Sequence, residues 1–322
     1  MRKSRLFSAL ALVFVLSSFF LGCSPRREGG RGVEVGPVVF SFQDSLFDDR
    51  GAGTYTYPVP LQDRDGIFDM KSFRVRDLGQ TLEFIIDFLR PLDREGLEGE
   101  SFQKGWAFQL LDIYIDTDGL RNSGRTFALP GRNIRFHPDQ GWEKVIVLSP
   151  GPSSVIRDYL IRYSESQGLY RARNDVLAPS NVFVYPFRLV ARVPKAGIGS
   201  PQGHWGFQVC LMGFDPENLA LNGLLNREVN LHADHLSFGG GSEFEGNPNI
   251  LDVLSHDRKF QYRVLSSFRS GPFREDNLLA ILPMIYAKGK QNYGNNRKNS
   301  MNKPRDGVRS SVESRYIKRI KE

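Results

Sequence analysis

The sequence is poor in cysteine and tryptophan and has few long apolar runs. Of its 322 residues only 2 are Cys and 3 are Trp, so at most one disulfide can form within the chain and a disulfide-stapled scaffold is excluded. No long segment shows sustained helical periodicity. Phe and Gly are abundant, at 24 and 32 residues, and 40% of positions are hydrophobic. This composition is sufficient for a sizeable core and favours a β-rich domain with many turns.

The formal net charge of +7 is concentrated at the two ends of the chain. Residues 286–322 hold 11 Lys or Arg against three acidic residues, whereas residues 37–285 hold 26 basic and 31 acidic residues. The central region is therefore mildly acidic, and its charge gives no basis for binding nucleic acid. The basic tail has too few apolar residues to fold alone. We expect it to be a solvated, disordered end or a segment that lies on anionic lipid or an acidic cell-wall polymer.

The N-terminus has the pattern of an export signal. Basic residues precede the apolar run Leu6–Leu21, which is shorter than the roughly 20 residues that a membrane-spanning helix needs. Residues 1–22 are therefore predicted to be a signal peptide. Gly22-Cys23 is similar to the lipobox of bacterial lipoproteins, which predicts acylation of Cys23, although Phe20 and Leu21 depart from the usual pattern. The alternative is ordinary cleavage that leaves Cys23 free or disulfide-bonded.

This reading predicts a protein of the cell envelope, lipid-anchored to a bacterial membrane and facing the periplasm or the exterior. Residues 23–36 are rich in Arg and Gly, which is typical of a flexible tether. The folded part is then expected over residues 37–285.

Strand patterns dominate this central part. In Thr81–Phe88 apolar residues alternate with more polar ones, as in a half-buried strand. Further strands are predicted at Val38–Phe42, Phe108–Asp118, Lys144–Leu148, Val182–Tyr185, Phe187–Val193 and Trp205–Met212. Short helices are predicted at Pro216–Leu225 and Ile250–Leu254, with Asp215 and Asn249 as N-caps. Many short strands separated by turn residues indicate an all-β fold, an antiparallel β-sandwich with elaborated loops.

Four stretches of the sequence together resemble one family. They are Asp44–Pro58 with its Asp-Asp-x-Gly-x-Gly-x-Tyr-x-Tyr-Pro pattern, Phe68-Asp69-Met70, Phe108–Gly119 followed by Ala128–Asn133, and Phe238–Gly241 followed by Pro248–Asp252. The family is the C-terminal, S-layer-homology-like module of glucodextranase, also found in some amylopullulanases. The resemblance implies a jelly-roll-like sandwich of the carbohydrate-binding-module type. This chain departs from the family at Phe47, where Gly is common, and a signal peptide instead of a glycosidase domain is expected in front of the module.

Aspartates are candidate calcium ligands in two regions. Strand alternation places Asp112, Asp116 and Asp118 on one face of Phe108–Asp118, where like charges repel unless a cation or another partner compensates them. A second group belongs to the loops that carry the resemblance: Asp44, Asp48, Asp49, Asp69 and Asp252. Calcium prefers six to eight oxygen ligands. The alternatives are turn-capping aspartates or arginine partners such as Arg132.

Other residues are weaker candidates for chemistry. His232 and His235 invite a zinc interpretation, but no third ligand is fixed by spacing, so a loop role is favoured. Cys210 lies in an apolar run and is expected to be a buried hydrophobe. Gly239-Gly240-Gly241 lacks the Lys-Ser/Thr pair of a phosphate loop. The 31 acidic residues of the central part make some glycosidase-like pair inevitable, so their number is not diagnostic.

Aromatic rings are the main candidates for sugar recognition, because they stack on the apolar faces of pyranoses. Trp106 is expected to be exposed at a strand entrance, and Trp142 is a further candidate; Trp205 is expected to be a core residue. Arg132 and Asn133 would supply polar contacts nearby. The resulting hypothesis is a non-catalytic lipoprotein that binds glycan or cell-envelope polymer. The alternatives are an envelope assembly protein that uses the sandwich for protein contacts and, with less support, a stand-alone hydrolase.

Overall fold

The computed structural model describes residues 36–92, 106–166, 173–215, 225–244, 246–273 and 277–287. The predicted signal peptide, Cys23, nearly all of the tether and nearly all of the basic tail lie outside these residues. Within them, two β-sheets face each other across an apolar core, so the all-β antiparallel sandwich predicted from the sequence is confirmed.

The first sheet has five antiparallel strands in the order β1-β2-β3-β9-β8. Their bounds are β1 Val38–Gln43, β2 Met70–Asp77, β3 Thr81–Phe88, β8 Asn181–Tyr185 and β9 Arg188–Pro194. Leu82, Phe84, Ile86 and Phe88 of β3 all lie in the core between the sheets. The period of two read from the sequence therefore identifies the inner face of this sheet.

The second sheet has the order β11-β10-β4-β6-β7, with β13 also pairing with β10. Its strands are β4 Gln109–Asp116, β6 Lys144–Leu148, β7 Val176–Leu177, β10 Gly206–Gly213, β11 Asp252–Val253 and β13 Ile285–Tyr286. All pairings are antiparallel except β6 with β7. Every residue of β4 and β10 is buried. Both faces of this sheet are therefore covered by protein.

The outer face of the six-stranded sheet packs against a second apolar core. Tyr114, Val145 and Met212 of the sheet meet Ile156 and Leu160 there. The elements outside the two sheets are the parallel pair β5 Ile134–Phe136 and β12 Ala280–Leu282, and the helices α1 Ser153–Ser166, α2 Lys195–Ile198 and α3 Arg258–Leu265. Short 3-10 helices occur at Val59–Leu61 and Pro138–Gln140. None of the helices in the described ranges is long and apolar enough to cross a membrane.

One of the two helices predicted from the sequence is wrong. Ile250–Leu254 is not a helix, because its Asp252 and Val253 form β11 against β10. Asn249 does not act as an N-cap; its Oδ1 accepts from the Val229 N–H at 2.8 Å. Pro216–Leu225 lies almost wholly outside the described residues. The helices α1, α2 and α3 were not predicted. In α3 the buried side chains are Gln261 and Leu265, and the helix is only eight residues long.

Candidate functional site

The tryptophans predicted to bind sugar are buried. Trp106 is 1% exposed and Trp142 is 0% exposed, so the prediction that Trp106 offers an accessible ring is wrong. Trp142 packs edge-on against Tyr114 at 5.4 Å between ring centroids, and its Nε1 donates to the Phe127 carbonyl at 2.9 Å. Trp205 is buried, as predicted. A buried ring cannot stack on a sugar, so these three residues form part of the cores.

Arg132 is also buried and forms an internal ion pair. Its Nε and Nη2 donate to the two oxygens of Asp112 at 2.7 and 3.1 Å, and both side chains are fully buried. The Tyr114 hydroxyl donates to the same carboxylate at 2.9 Å. Asp112 therefore has an arginine partner, which was the alternative to its prediction as a calcium ligand, and Arg132 is not available to a glycan.

The rest of the Ala128–Asn133 loop is fastened internally. Nδ2 of Asn133 donates to the Asn247 carbonyl at 2.9 Å, and Nδ2 of Asn249 donates to the Gly131 carbonyl at 2.8 Å. Asn133 has a left-handed backbone with φ 54°, which Asn tolerates better than most residues. These hydrogen bonds hold two loops together. They do not support the prediction of Arg132 and Asn133 as a polar sugar site.

Several aspartates of the loops that carry the resemblance do come together. We name Asp44, Asp48, Asp69 and Asp252 the four-aspartate cluster. Carboxylate oxygens of Asp48, Asp69 and Asp252 lie within 4.8 Å of one another, and all three residues are fully buried. Burial raises the pKa of Asp48 and of Asp69 to about 7, with neighbouring carboxylates adding to the effect. Burial and the charges of the other aspartates also raise the pKa of Asp44 and of Asp252 well above the usual range.

Asp49, the remaining predicted loop ligand, is held outside this cluster. Its carboxylate accepts from the Tyr57 hydroxyl and from the Gly66 N–H. The preceding Phe47 is 63% exposed and has φ 63°, a left-handed conformation that favours glycine. Phe47, at which the sequence departs from the family pattern, therefore keeps the turn but at a steric cost.

A second acidic group, Asp116, Asp118 and Glu143, lies at the end of β4 and is named the strand-end cluster. Asp116 accepts from the Gly119 N–H at 2.6 Å and from the Tyr286 hydroxyl at 2.5 Å. Asp118 accepts from the Leu120 N–H and the Ser123 hydroxyl. Glu143 was missed by the sequence analysis. It immediately precedes β6, and the pairing of β6 with β4 brings it to the aspartates.

Glu143 has a pKa close to neutral pH. Its Oε2 accepts from the Thr117 N–H at 2.7 Å, but Oε1 is buried without a hydrogen-bond partner. Burial first, and then the charges of Asp118 and Asp116, raise the pKa of Glu143 to about 7. The carboxyl group thus favours the neutral form relative to an ordinary glutamate.

An exposed aromatic surface lies elsewhere, on the five-stranded sheet. Val182 and Val184 of β8 pack on the core, so Phe183 and Tyr185 point to the other side, where they are 37% and 52% exposed. We name this side the outer sheet face. Its polar side chains are Arg74, Arg76, Glu83, Asp87, Arg188 and Arg192. The sequence predicted this strand, but Phe183 and Tyr185 were not among the residues predicted to bind sugar.

The charged side chains of the outer sheet face form two groups of ion pairs, one around Asp87 and one around Glu83. Asp87 pairs with Arg74 at 2.7 Å and with Arg188 at 2.5 Å. Glu83 pairs with Arg192 at 3.1 Å, and the Arg192 guanidinium lies 4.9 Å from the centroid of the Phe183 ring. The face therefore presents aromatic rings beside planar hydrogen-bonding groups.

The remaining predictions concern histidine and cysteine. His232 and His235 are exposed in a loop, and Asp234 between them accepts from the Leu236 and Ser237 N–H groups. The loop role favoured over zinc is thus the one observed. Cys210 is a free, fully buried thiol in the second core, as predicted.

A comparison with protein families matches residues 39–278 to the C-terminal binding module, SLH-like, of glucodextranase. The match covers more than half of the chain, and the chain therefore belongs to this family. This confirms the resemblance carried by the four motifs. The matched module is a binding module and not a catalytic domain. No curated protein matches the sequence.

The buried ion pair predicts a large difference between two arginines. Arg132→Met should lower the free energy of unfolding by about 3–5 kcal/mol, because it leaves Asp112 charged and unpaired in the interior. Arg188→Met removes an arginine from a partly exposed pair, so it should cost at most about 1 kcal/mol. Urea unfolding of both variants measures this, and equal losses would contradict the structural role of Arg132.

The raised pKa of Glu143 predicts a pH-dependent stability. Between about pH 4.5 and 7 the folded protein retains a proton that the unfolded chain has lost, so this group makes stability fall as pH rises through that window. Glu143→Gln mimics the neutral form and should stabilise the protein at pH 8 by about 1 kcal/mol, a value reduced for solvent screening. The gain should vanish at pH 4. Thermal unfolding at both pH values tests this, and a loss of stability at pH 8 would refute it.

Proposed function

We propose that this protein is a non-catalytic glycan-binding module of the bacterial cell envelope, anchored to a membrane through an acyl chain on Cys23. Its ligand class is polysaccharide or cell-wall glycan, with α-glucans first because of the family's origin in glucodextranase. The family match supports a binding module. The signal-peptide and lipobox patterns of residues 1–23 support the anchor.

The observation that carries the proposal is the outer sheet face. Phe183 and Tyr185 are two positions apart on one strand, which spaces them by about 7 Å, and both are exposed. Aromatic planes beside planar polar groups suit a sugar, which has apolar ring faces and hydroxyl edges. The outer sheet face with its two exposed rings therefore replaces the buried tryptophans as the candidate binding surface.

Glycan binding is tested by affinity electrophoresis of residues 24–322 in gels that contain α-glucan or peptidoglycan fragments. A shallow site of this kind should give dissociation constants of about micromolar to millimolar, because ordering of flexible groups offsets part of the gain. Phe183→Ala and Tyr185→Ala should each weaken binding by about fivefold, equivalent to about 1 kcal/mol per ring.

Phe127→Ala is the matched control for Phe183→Ala. Phe127 is 55% exposed and has the Arg135 guanidinium 5.6 Å from its ring centroid. Phe127→Ala therefore removes an exposed ring beside an arginine, as Phe183→Ala does, but outside the outer sheet face. Binding should be unchanged in this variant. Retardation by no glycan at all would favour the alternative, an envelope assembly protein that binds other proteins. Steady release of reducing sugar would overturn the non-catalytic assignment.

The lipid anchor predicts a change in fractionation. Cys23→Ser removes the thiol that would be acylated, so the variant should leave the membrane fraction and partition into the aqueous phase of a detergent extraction. The parent should partition into the detergent phase, and its mass should exceed that of the unmodified chain by the mass of the lipid. A variant that still partitions like the parent would contradict acylation at Cys23.

A further inference from the structure

The four-aspartate cluster joins distant parts of the chain. Asp44 follows β1, Asp48 lies in the turn after it, and Asp69 immediately precedes β2. Asp252 belongs to β11 in the other sheet. The four carboxylates therefore meet where the edges of the two sheets approach, and Oδ2 of Asp252 accepts from the Met70 N–H at 2.7 Å across this junction.

In three carboxylates of the cluster one oxygen accepts a hydrogen bond and the other accepts none. Asp44 Oδ1 accepts from the Ser255 N–H at 2.7 Å, Asp69 Oδ2 from the Phe47 N–H at 2.6 Å, and Asp252 Oδ2 from the Met70 N–H. The opposite oxygens are buried without a hydrogen-bond partner, and both carboxylate oxygens of Asp48 are in the same position. Four of these five unpartnered oxygens belong to Asp48, Asp69 and Asp252, which each place a carboxylate oxygen within 4.8 Å of the others.

Such an arrangement is costly without a positive charge. A buried polar atom normally has a hydrogen-bond partner, and like charges in a dry site repel strongly. Within the described residues none of the four aspartates forms an ion pair with Lys or Arg. The contrast with Asp112 is direct, since its charge is met by Arg132. The charge of Arg258 lowers the pKa of Asp48 without a direct ion pair. The rest of the compensation must come from protons or from a bound cation.

We propose that the four-aspartate cluster is a calcium site that fastens the two sheets and the Asp44–Asp49 turn to one another. The five bare oxygens are hard ligands of the kind that calcium prefers. Two oxygens on opposite sides of one Ca²⁺ ion are separated by about 4.8 Å, from bonds of about 2.4 Å, and the oxygens of Asp48, Asp69 and Asp252 lie within that span. Mg²⁺ binds at about 2.0–2.1 Å and retains several waters, which suits a buried carboxylate pocket less well.

The strand-end cluster shares these properties only in part. Asp116 and Asp118 accept hydrogen bonds from backbone N–H groups and from the hydroxyls of Tyr286 and Ser123. Asp118 and Glu143 are only partly buried. Only one buried oxygen of this group, Oε1 of Glu143, lacks a partner, against five in the four-aspartate cluster. The cation is therefore assigned to the four-aspartate cluster, and this second group serves as a control.

The test uses the full chain, purified in detergent, and does not depend on glycan binding. Elemental analysis should find about one calcium ion per chain, and chelation with EGTA should lower the melting temperature. Added Ca²⁺ should restore it, with a half-maximal concentration at least tenfold below that of Mg²⁺, because an ion that binds the folded state stabilises it by mass action.

Asp48→Asn should abolish the calcium response, whereas Asp118→Asn should retain it. Because neither carboxylate oxygen of Asp48 makes a hydrogen bond, the asparagine removes repulsion, and the chelated variant should melt at or above the chelated parent. Three results would each overturn the proposal: no calcium and no melting response in the parent, equal half-maximal concentrations of Mg²⁺ and Ca²⁺, or a response lost in Asp118→Asn. If Asp48→Asn does not fold, the calcium content of the parent and its comparison with Mg²⁺ still decide the outcome.

Discussion

The burial of both faces of the six-stranded sheet is the constraint on which the rest of the structure depends. Antiparallel sheets commonly leave one face to solvent, but every residue of β4 and β10 is buried. A polar side chain on these strands must therefore find its partner within the protein. Gln109 donates to the Ile67 carbonyl at 2.9 Å, and Gln208 donates to the Pro283 carbonyl at 2.9 Å. These two glutamines thus fasten particular loops to the sheet.

The same constraint explains what the family motifs do in this fold. Asp112 of β4 requires Arg132, which places the Ala128–Asn133 loop against the sheet. The glycine loop pairs with the opening motif through reciprocal hydrogen bonds between Thr56 and Gly239 at 2.9 and 3.0 Å. A Cβ at Gly239 would lie 2.3 Å from the Ala233 nitrogen, so this close pairing requires glycine. The motifs by which the chain resembles its family thus act largely in holding loops together.

The strands could be predicted where alternation was regular, and the bounds of Thr81–Phe88 and Lys144–Leu148 match the structure. β2 was missed because a register shift between Met70 and Ser72 breaks its period of two. The aspartates of the four-aspartate cluster were all identified as candidates, since motif loops carry them. The sequence could not show that Asp49 and Asp112 lie outside this cluster. That depends on partners such as Tyr57 and Arg132, which only the folded chain brings near.

The aromatic residues of the binding surface were predicted wrongly from residue type. Large rings are favoured both in cores and at sugar sites, and residue type alone led to Trp106 and Trp142, which fill the interior. In β8 the alternation of valine with Phe183 and Tyr185 carried the information, because it separates the two sides of a strand. The ion pairs beside these rings each add little stability. The pair of Arg192 with Glu83 holds the guanidinium over Phe183, which restricts the motion of both groups and so lowers the entropy that a ligand on this face would have to offset.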